Sequence, residues 1–240
     1  MAANFFSVEE IEGLLTLVHE GKTTEQILRT DLGKTFTSKT IKELTNETDV
    51  LKDVRFTKNL TQFGTAKQIT VIDELRTRVK KGESLDKFLD EHFEATNTMQ
   101  NVWLQTEKDT TRAQTDGVQD LNRFEAEAND LPLLQFQTIE DGRVRPGHRA
   151  LDGLIRPVGH PDTLRYATPL DYNCRCEWIQ LTDETEAPNK IRRTFDKKVV
   201  EKDINPVIAG DPRKKGEIFS KAHPYFLAVS TEIIKRLVGS

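Results

Sequence analysis

Two short stretches of period-two hydrophobicity, residues 133–139 and 173–181, stand on either side of a long irregular segment, and they constrain this chain more than any other feature. In the first, Leu134, Phe136 and Thr138 alternate with Gln135 and Gln137. In the second, Cys174, Cys176 and Trp178 alternate with Arg175, Glu177 and Ile179. Successive side chains of a strand point to opposite faces, so each alternation predicts a half-buried strand. The two strands are expected to pair, with residues 141–172 as an elaborate connection between them. Inside that connection Asp141-Gly142 signals a turn. Pro146 suits the first position of a short helix that carries His148 and Leu151, and Gly153 can end it.

Upstream the period is helical. Ser7-Val8-Glu9-Glu10 is a capping box, Ile11, Leu14, Leu15 and Val18 form one stripe, and Gly21 is a stop. Residues 24–32 and 38–44 predict two more short helices, and residues 46–64, mixed in charge and threonine, a linker. A better helix follows over 65–81, with Ile69, Ile72, Leu75 and Val79 on one side. Ser84 caps another, striped by Leu85, Phe88, Leu89 and Phe93. A long third helix over about 98–128 carries Met99, Val102, Trp103, Val118, Leu121 and Phe124, with Gly117 as a bend or a place for another backbone to approach. From Thr182 the periodicity is lost and lysine and arginine accumulate, until Ile233, Ile234 and Leu237 suggest a terminal helix. The expected division is a helical arm over 1–60, a central domain over 65–181, and a basic extended tail with a terminal helix over 182–240. The expected fold class is α+β: a mainly helical N-terminal part packed on a small antiparallel β-sheet with a long loop-rich connection.

Apolar residues make up 36% of the chain and charged residues 31%, a balance that suits long helices with solvated faces or extended arms. A net charge of −4 gives no general reason to bind nucleic acid or a membrane surface. No apolar run approaches the roughly 20 residues of a membrane helix. The start, Met1-Ala2-Ala3-Asn4-Phe5-Phe6, lacks the pattern of a signal peptide, so the expected compartment is a cytoplasm. There is no Gly-rich phosphate loop, His-Glu-x-x-His, Gly-x-Ser-x-Gly or Cys-x-x-Cys, which leaves nucleotide hydrolysis and the common hydrolase classes without support.

Cys174-Arg175-Cys176 offers the most distinctive chemistry. Two residues of a strand span about 6.6 Å, near the far limit for a disulfide. If the strand bends, both thiolates can hold one metal, with His148 as third ligand and His160 or Asp152 as fourth, the donor set of tetrahedral zinc. The plainer reading, two small buried residues beside Trp178, is preferred because a lone Cys-x-Cys has little specificity. Arg145, His148, Arg149 and Asp152 could hold an acid–base pair, but a long irregular connection needs such side chains to bond its own backbone. Thr106, Glu107 and Arg112 could face the strand pair or lie on a solvated face. The cations after Leu181 could touch DNA through its phosphates, whereas Phe195, Phe219, Tyr225 and Phe226 look like packing anchors.

The run Arg145-Pro146-Gly147-His148-Arg149-Ala150-Leu151-Asp152-Gly153, followed by Asn173-Cys174-Arg175-Cys176, resembles the signature of the phage Mu protein F-like family. These are minor head or head morphogenesis proteins of tailed bacteriophages and prophages. Trp103-Leu104-Gln105-Thr106-Glu107 resembles the family's helix ending in a Thr-Glu pair. Asp211 to Phe219 and His223-Pro224-Tyr225-Phe226 resemble a tail of some relatives. The likeness spans about residues 66–226. Arg145-Pro146-Gly147-His148 stands where many relatives carry Cys-x-x-Cys, and Thr168-Pro169-Leu170 replaces a Pro-Pro-Asn. The resemblance implies a virion component at the portal vertex or capsid interior, assembled in the host cytoplasm, with no membrane association and no catalytic residues. Its partners would be the portal or major capsid protein, and phage DNA through the basic tail. Its structural signature would be Arg145, His148, Leu151, Asp152, Gly153, Asn173, Cys174, Arg175 and Cys176; no cofactor is expected, the one alternative being a structural zinc, for which the departures leave at most a His148, Cys174 and Cys176 core. The alternative is a metal-assisted hydrolase or phage-encoded effector enzyme using His148, Asp152 and the cysteine pair.

Overall fold

The computed structural model describes residues 4–188 and 190–238; the opening Met1-Ala2-Ala3 lies outside them. In chain order the elements are α1 (Val8–His19), α2 (Thr24–Arg29), α3 (Asp31–Thr45), α4 (Val54–Arg78), α5 (Leu85–Asn97), α6 (Trp103–Ala126), β1 (Leu133–Gln137), α7 (Pro146–Leu151), β2 (Ile155–Pro157), α8 (Pro161–Arg165), β3 (Glu177–Leu181), α9 (Lys197–Val200), α10 (Pro212–Lys215), α11 (Pro224–Ala228) and α12 (Thr231–Val238). The fold class is α+β as expected, 61% helical with one small three-stranded antiparallel sheet. Two compact units form: Met1–Lys108 with Lys221–Ser240, and Asp109–Ser220.

These units do not follow the three expected segments. Residues 1–60 are no separate arm, because α3 packs along α4 within the first unit. The expected linker over 46–64 is instead a short 3-10 turn, Asn46–Leu51, and the first turns of α4. Phe56, Leu60 and Phe63 recur there at helical spacing and are all buried, a stripe that the surrounding polar residues disguised. The two helices expected over 24–32 and 38–44 are replaced by α2 and a longer α3, joined at Thr30, which ends one and caps the other. Gly33 permits that joint, since a Cβ there would lie 2.1 Å from the Ile27 carbonyl oxygen. The capping box at Ser7 and Glu10 forms as expected. The long third helix begins with a π turn, Thr98–Val102, that buries Met99, Gln100 and Asn101.

The first unit buries unusually polar side chains. Lys67 on α4 and Glu107 on α6 form an ion pair at 2.6 Å, with side-chain exposures of 0% and 6%. The Tyr225 hydroxyl donates to the other Glu107 oxygen at 3.2 Å. Burial pulls the Lys67 amine below its ordinary pKa and pushes the Glu107 carboxyl above its own, and their attraction works against both shifts. Gln68 and Gln100 exchange two amide hydrogen bonds, at 3.0 and 2.9 Å. His223 caps α11 by accepting from the Tyr225 N–H at 3.2 Å. Burial and the Lys67 charge push its pKa down to about 4.

In the second unit β1 is the central strand, in the order β2-β1-β3. The expected pairing of the two period-two segments holds, with Leu133 opposite Leu181 and Phe136 opposite Trp178. The last pair meets edge-on, ring centroids 5.1 Å apart. Leu121 and Phe124 of α6 pack with Leu134 and Phe136 of β1, Leu151, Tyr166 and Val200 in one core. Gly117 lets another backbone approach, as expected: a Cβ there would meet the Thr168 carbonyl at 2.3 Å. Gln180 of β3 donates to the Phe124 and Leu131 carbonyls, which gives partners to one backbone acceptor in the last turn of α6 and one in the segment after it. Both strands are shorter than expected, and β3 starts only at Glu177. The strand β2, three residues ending in Pro157, was too short to read.

The expected loosely ordered basic tail is also corrected. Val200, Ile208, Ile218 and Phe219 are buried, and α9 and α10 give the segment regular turns. Arg193 pairs with Glu184, and Arg213 with Asp211 and Glu125, so these cations are already neutralised. Residues 221–238 then pack within the first unit, α11 and α12 both against α4.

Two outcomes follow for stability. Lys67→Met leaves the Glu107 charge buried and unpaired and should cost about 3–5 kcal/mol, while adding Glu107→Met should restore most of that; urea unfolding of the three proteins measures it. For His223 the folded pKa lies below the unfolded one, so its contribution is whole above pH ~6.5 and declines as the pH falls toward 4. Across that interval the wild type should lose up to about 3 kcal/mol more than His223→Gln, and parallel pH profiles would contradict the assignment.

Candidate functional site

The connection between β1 and β3 is built from side chains that bond backbone. After the turn at Asp141, the Arg175 guanidinium grips both Asp141 oxygens at 2.7 and 2.9 Å, and the Arg143 N–H donates to one of them at 2.9 Å. The Arg175 pairing holds the Asp141 carboxyl well below the usual carboxylate range. Arg145 precedes α7 and reaches Asp171 at 2.9 Å and the Tyr172 carbonyl at 3.2 Å. Pro146 occupies the first helical position, where no backbone donor is needed. Leu151 is fully buried in the core. Asp152 accepts from the Thr138 N–H at 2.8 Å and its hydroxyl at 3.0 Å. Gly153 has φ +77°, and a Cβ there would lie 1.9 Å from the Lys190 carbonyl, so only glycine lets residues 190–192 run alongside.

Residues 173–176 are not strand. Asn173 is left-handed at φ 57°, a conformation that asparagine tolerates, and the Cys174 N–H closes a turn onto the Asp171 carbonyl at 3.1 Å. The bend turns both thiols toward His148. The imidazole is 2% exposed, and its Nδ1 lies 3.7 Å from the Sγ of Cys174 and 3.7 Å from that of Cys176. Its Nε2 faces the Asp203 carbonyl at 3.0 Å. A carbonyl can only accept, so Nε2 holds the hydrogen, and in the neutral ring the Nδ1 lone pair points at the two sulfurs. Both cysteines are free thiols. Cys174 accepts from Cys176 and lies beside His148, which together draw its pKa down to about 4, while Cys176, the donor of the thiol pair and buried, is pushed up. Burial opposes a charge on His148, but the Cys174 sulfur and the Asp203 carbonyl outweigh it and raise its pKa.

The structure thus brings together the three expected ligands, all mutually within 4.8 Å. It does not bring the two candidates for a fourth. Asp152 is engaged by Thr138, and His160 caps α8 by accepting from the Asp162 N–H at 3.0 Å. Glu107, read as facing either the strand pair or solvent, is paired with buried Lys67. The residue that sequence reasoning missed is Asp203. Its carboxylate takes the Gly147 N–H at 2.5 Å while its carbonyl orients His148, and a Cβ on Gly147 would meet its Cβ at 2.8 Å. It stands 55 positions after His148 in a segment without periodicity, so no spacing signalled it. Beside the cluster lies a cavity of about 570 Å³, bordered by Arg143, Arg145, Asp171, Asn173 and Arg175.

Residues 69–179, from α4 to β3, match the model of a family described as phage Mu protein F like protein. No curated protein and no solved structure gives a significant match to the chain.

Asp152→Ala should leave the Thr138 amide, part-buried, without its acceptor and cost about 1–3 kcal/mol. A melting temperature unchanged from wild type would show that this bond does not brace the connection.

Proposed function

From the match of residues 69–179 to the model of the phage Mu protein F-like family, we propose that this is a minor head protein that works in phage head assembly by binding the portal or the major capsid protein. The family is one of head morphogenesis in bacteriophages. The observation that supports a recognition surface over a reaction centre is the use of the signature side chains. The side chains of Arg145, Asp152 and Arg175, and the left-handed backbone of Asn173, are spent on holding the connection in one shape.

On this reading the protein is no enzyme. A metal-assisted hydrolase using Asp152 as acid or base would need that carboxylate at the cluster, and both groups of Thr138 hold it by its Oδ1. Location in the virion, at the portal vertex or the capsid interior, follows from the same premise. No described helix is long and apolar enough to cross a membrane. Contact with DNA through residues 182–240 is the weaker part of the proposal, since Arg193 and Arg213 already have carboxylate partners.

Purified heads provide the test. Peptides of this chain should be found in them by mass spectrometry, cross-linked to portal or major capsid protein from residues of the connection. Arg175→Glu, which opposes Asp141, should lower incorporation severalfold. Absence from heads, or a turnover abolished by His148→Ala, would overturn the proposal.

A further inference from the structure

The His148, Cys174 and Cys176 cluster has a geometry that a head-assembly role does not require. Three nitrogen and sulfur donors from two separate chain segments converge on one point, deep enough that His148 is 2% exposed. A tetrahedral zinc with Zn–S near 2.3 Å and Zn–N near 2.05 Å needs nitrogen and sulfur donors about 3.6 Å apart. The two separations observed are 3.7 Å. The imidazole is also set in the tautomer that a ligand needs. The Asp203 carbonyl fixes the hydrogen on Nε2, as the outer partner of a metal-bound histidine commonly does, and leaves Nδ1 free to coordinate.

We propose that His148, Cys174 and Cys176 form a three-donor site for a zinc-class divalent metal, whose fourth position is filled from outside the chain by water or a small anion. Two thiolates and an imidazole form a borderline-soft set that favours zinc over magnesium or calcium. Among the described residues no fourth protein donor joins the group. A small cavity of about 20 Å³ is bordered by all three donors and by Arg143, Arg145 and Arg175, room for a single water molecule. Two thiolates cancel the charge of the metal, and Arg145 and Arg175 at the same opening are already paired with Asp171 and Asp141, so water suits the fourth position as well as a small anion does. Asp203 is a positioning residue for the site: its carboxylate holds the first turn of α7 at Gly147 and its carbonyl aims the next residue's ring.

The competing account is a metal-free knot in which the thiols and imidazole hydrogen-bond to one another. Titration of the full-length, chelator-treated protein with cobalt(II) separates the two. The expected result is one equivalent bound, with a thiolate-to-cobalt charge-transfer band in the near ultraviolet and the visible bands of tetrahedral cobalt, both bleached by zinc. Cys174→Ser and Cys176→Ser should each weaken the charge-transfer band and the double variant abolish it. Asp203→Ala should keep the stoichiometry and lower the affinity about tenfold or more, with Asp203→Asn closer to wild type. Azide should shift the visible bands by entering the fourth position. No band in the wild-type protein overturns the metal site itself, without needing any variant to fold. A spectrum indifferent to azide, with X-ray absorption reporting four protein donors, overturns the open position. Incorporation into heads is scored separately, so a metal-free protein that still enters heads refutes this inference and leaves the proposed function standing.

Discussion

A loop packed against a core survives only if its peptide groups find partners, and the chain between β1 and β3 satisfies that demand with charged side chains, its own and those of the segment after β3. Carboxylates take the amide hydrogens: Asp141 from Arg143, Asp152 from Thr138, Asp171 from Tyr172, Asp203 from Gly147. Guanidinium groups take the carbonyls: Arg145 from Tyr172, Arg149 from Asp141, Arg156 from Ile155 and Arg193, Arg192 from Asp152. Several of these acids and bases then pair with each other, Arg145 with Asp171 and Arg175 with Asp141. A concentration of aspartate and arginine around a histidine invites an active-site reading. Here the same residues supply the partners that the short α7, β2 and α8 leave unprovided along the rest of the connection.

The glycines of that stretch make sense only with the chain that follows the sheet. Gly147 lies so close to Val200 and Asp203 that a Cβ would be within 2.9 Å of their atoms, and Gly153 does the same with Lys190. Arg192 donates its N–H to the Gly153 carbonyl and accepts from the Ile155 N–H, so residues 190–192 run along the start of β2. Val200 fills the core beneath. The segment after β3 is therefore a working part of the connection, and His148 owes its orientation to it. A family match that ends at residue 179 stops short of the residues that brace its own signature.

What the sequence made legible follows from range. The capping box at Ser7, the Gly117 approach and the pairing of two alternating segments are local or pairwise patterns, and each is present. The meeting of His148 with the thiols was legible for the same reason, since one connection contains all three. Residues 54–64 were misread because Asn, Thr and Lys outnumber the three aromatic and aliphatic positions that define the stripe. The tail was misread for a different reason. Its buried residues, Val200, Ile208, Ile218 and Phe219, sit in single turns too short to establish any period. Asp203 and the Lys67–Glu107 pair could not be found at all, because a lone charge in sequence has no mark that says which distant charge or backbone group it will meet.

The polar interior of the first unit accounts for how a chain only 36% apolar holds long helices in register. A buried ion pair adds little net stability, since desolvation cancels most of its attraction. Its effect is on the alternatives. Sliding α4 against α6 by one residue, about 1.5 Å along the axis, and turning it by the matching angle would carry Lys67 away from Glu107 and break the reciprocal amide pair of Gln68 and Gln100 together. Both losses would leave buried groups without partners, several kcal/mol against that register. An interface of leucine and phenylalanine alone would accept the slip at much smaller cost. The Tyr225 hydroxyl on Glu107 extends the same discrimination to the C-terminal segment, which can bond there only when α4 and α6 already stand in the one arrangement that presents the carboxylate.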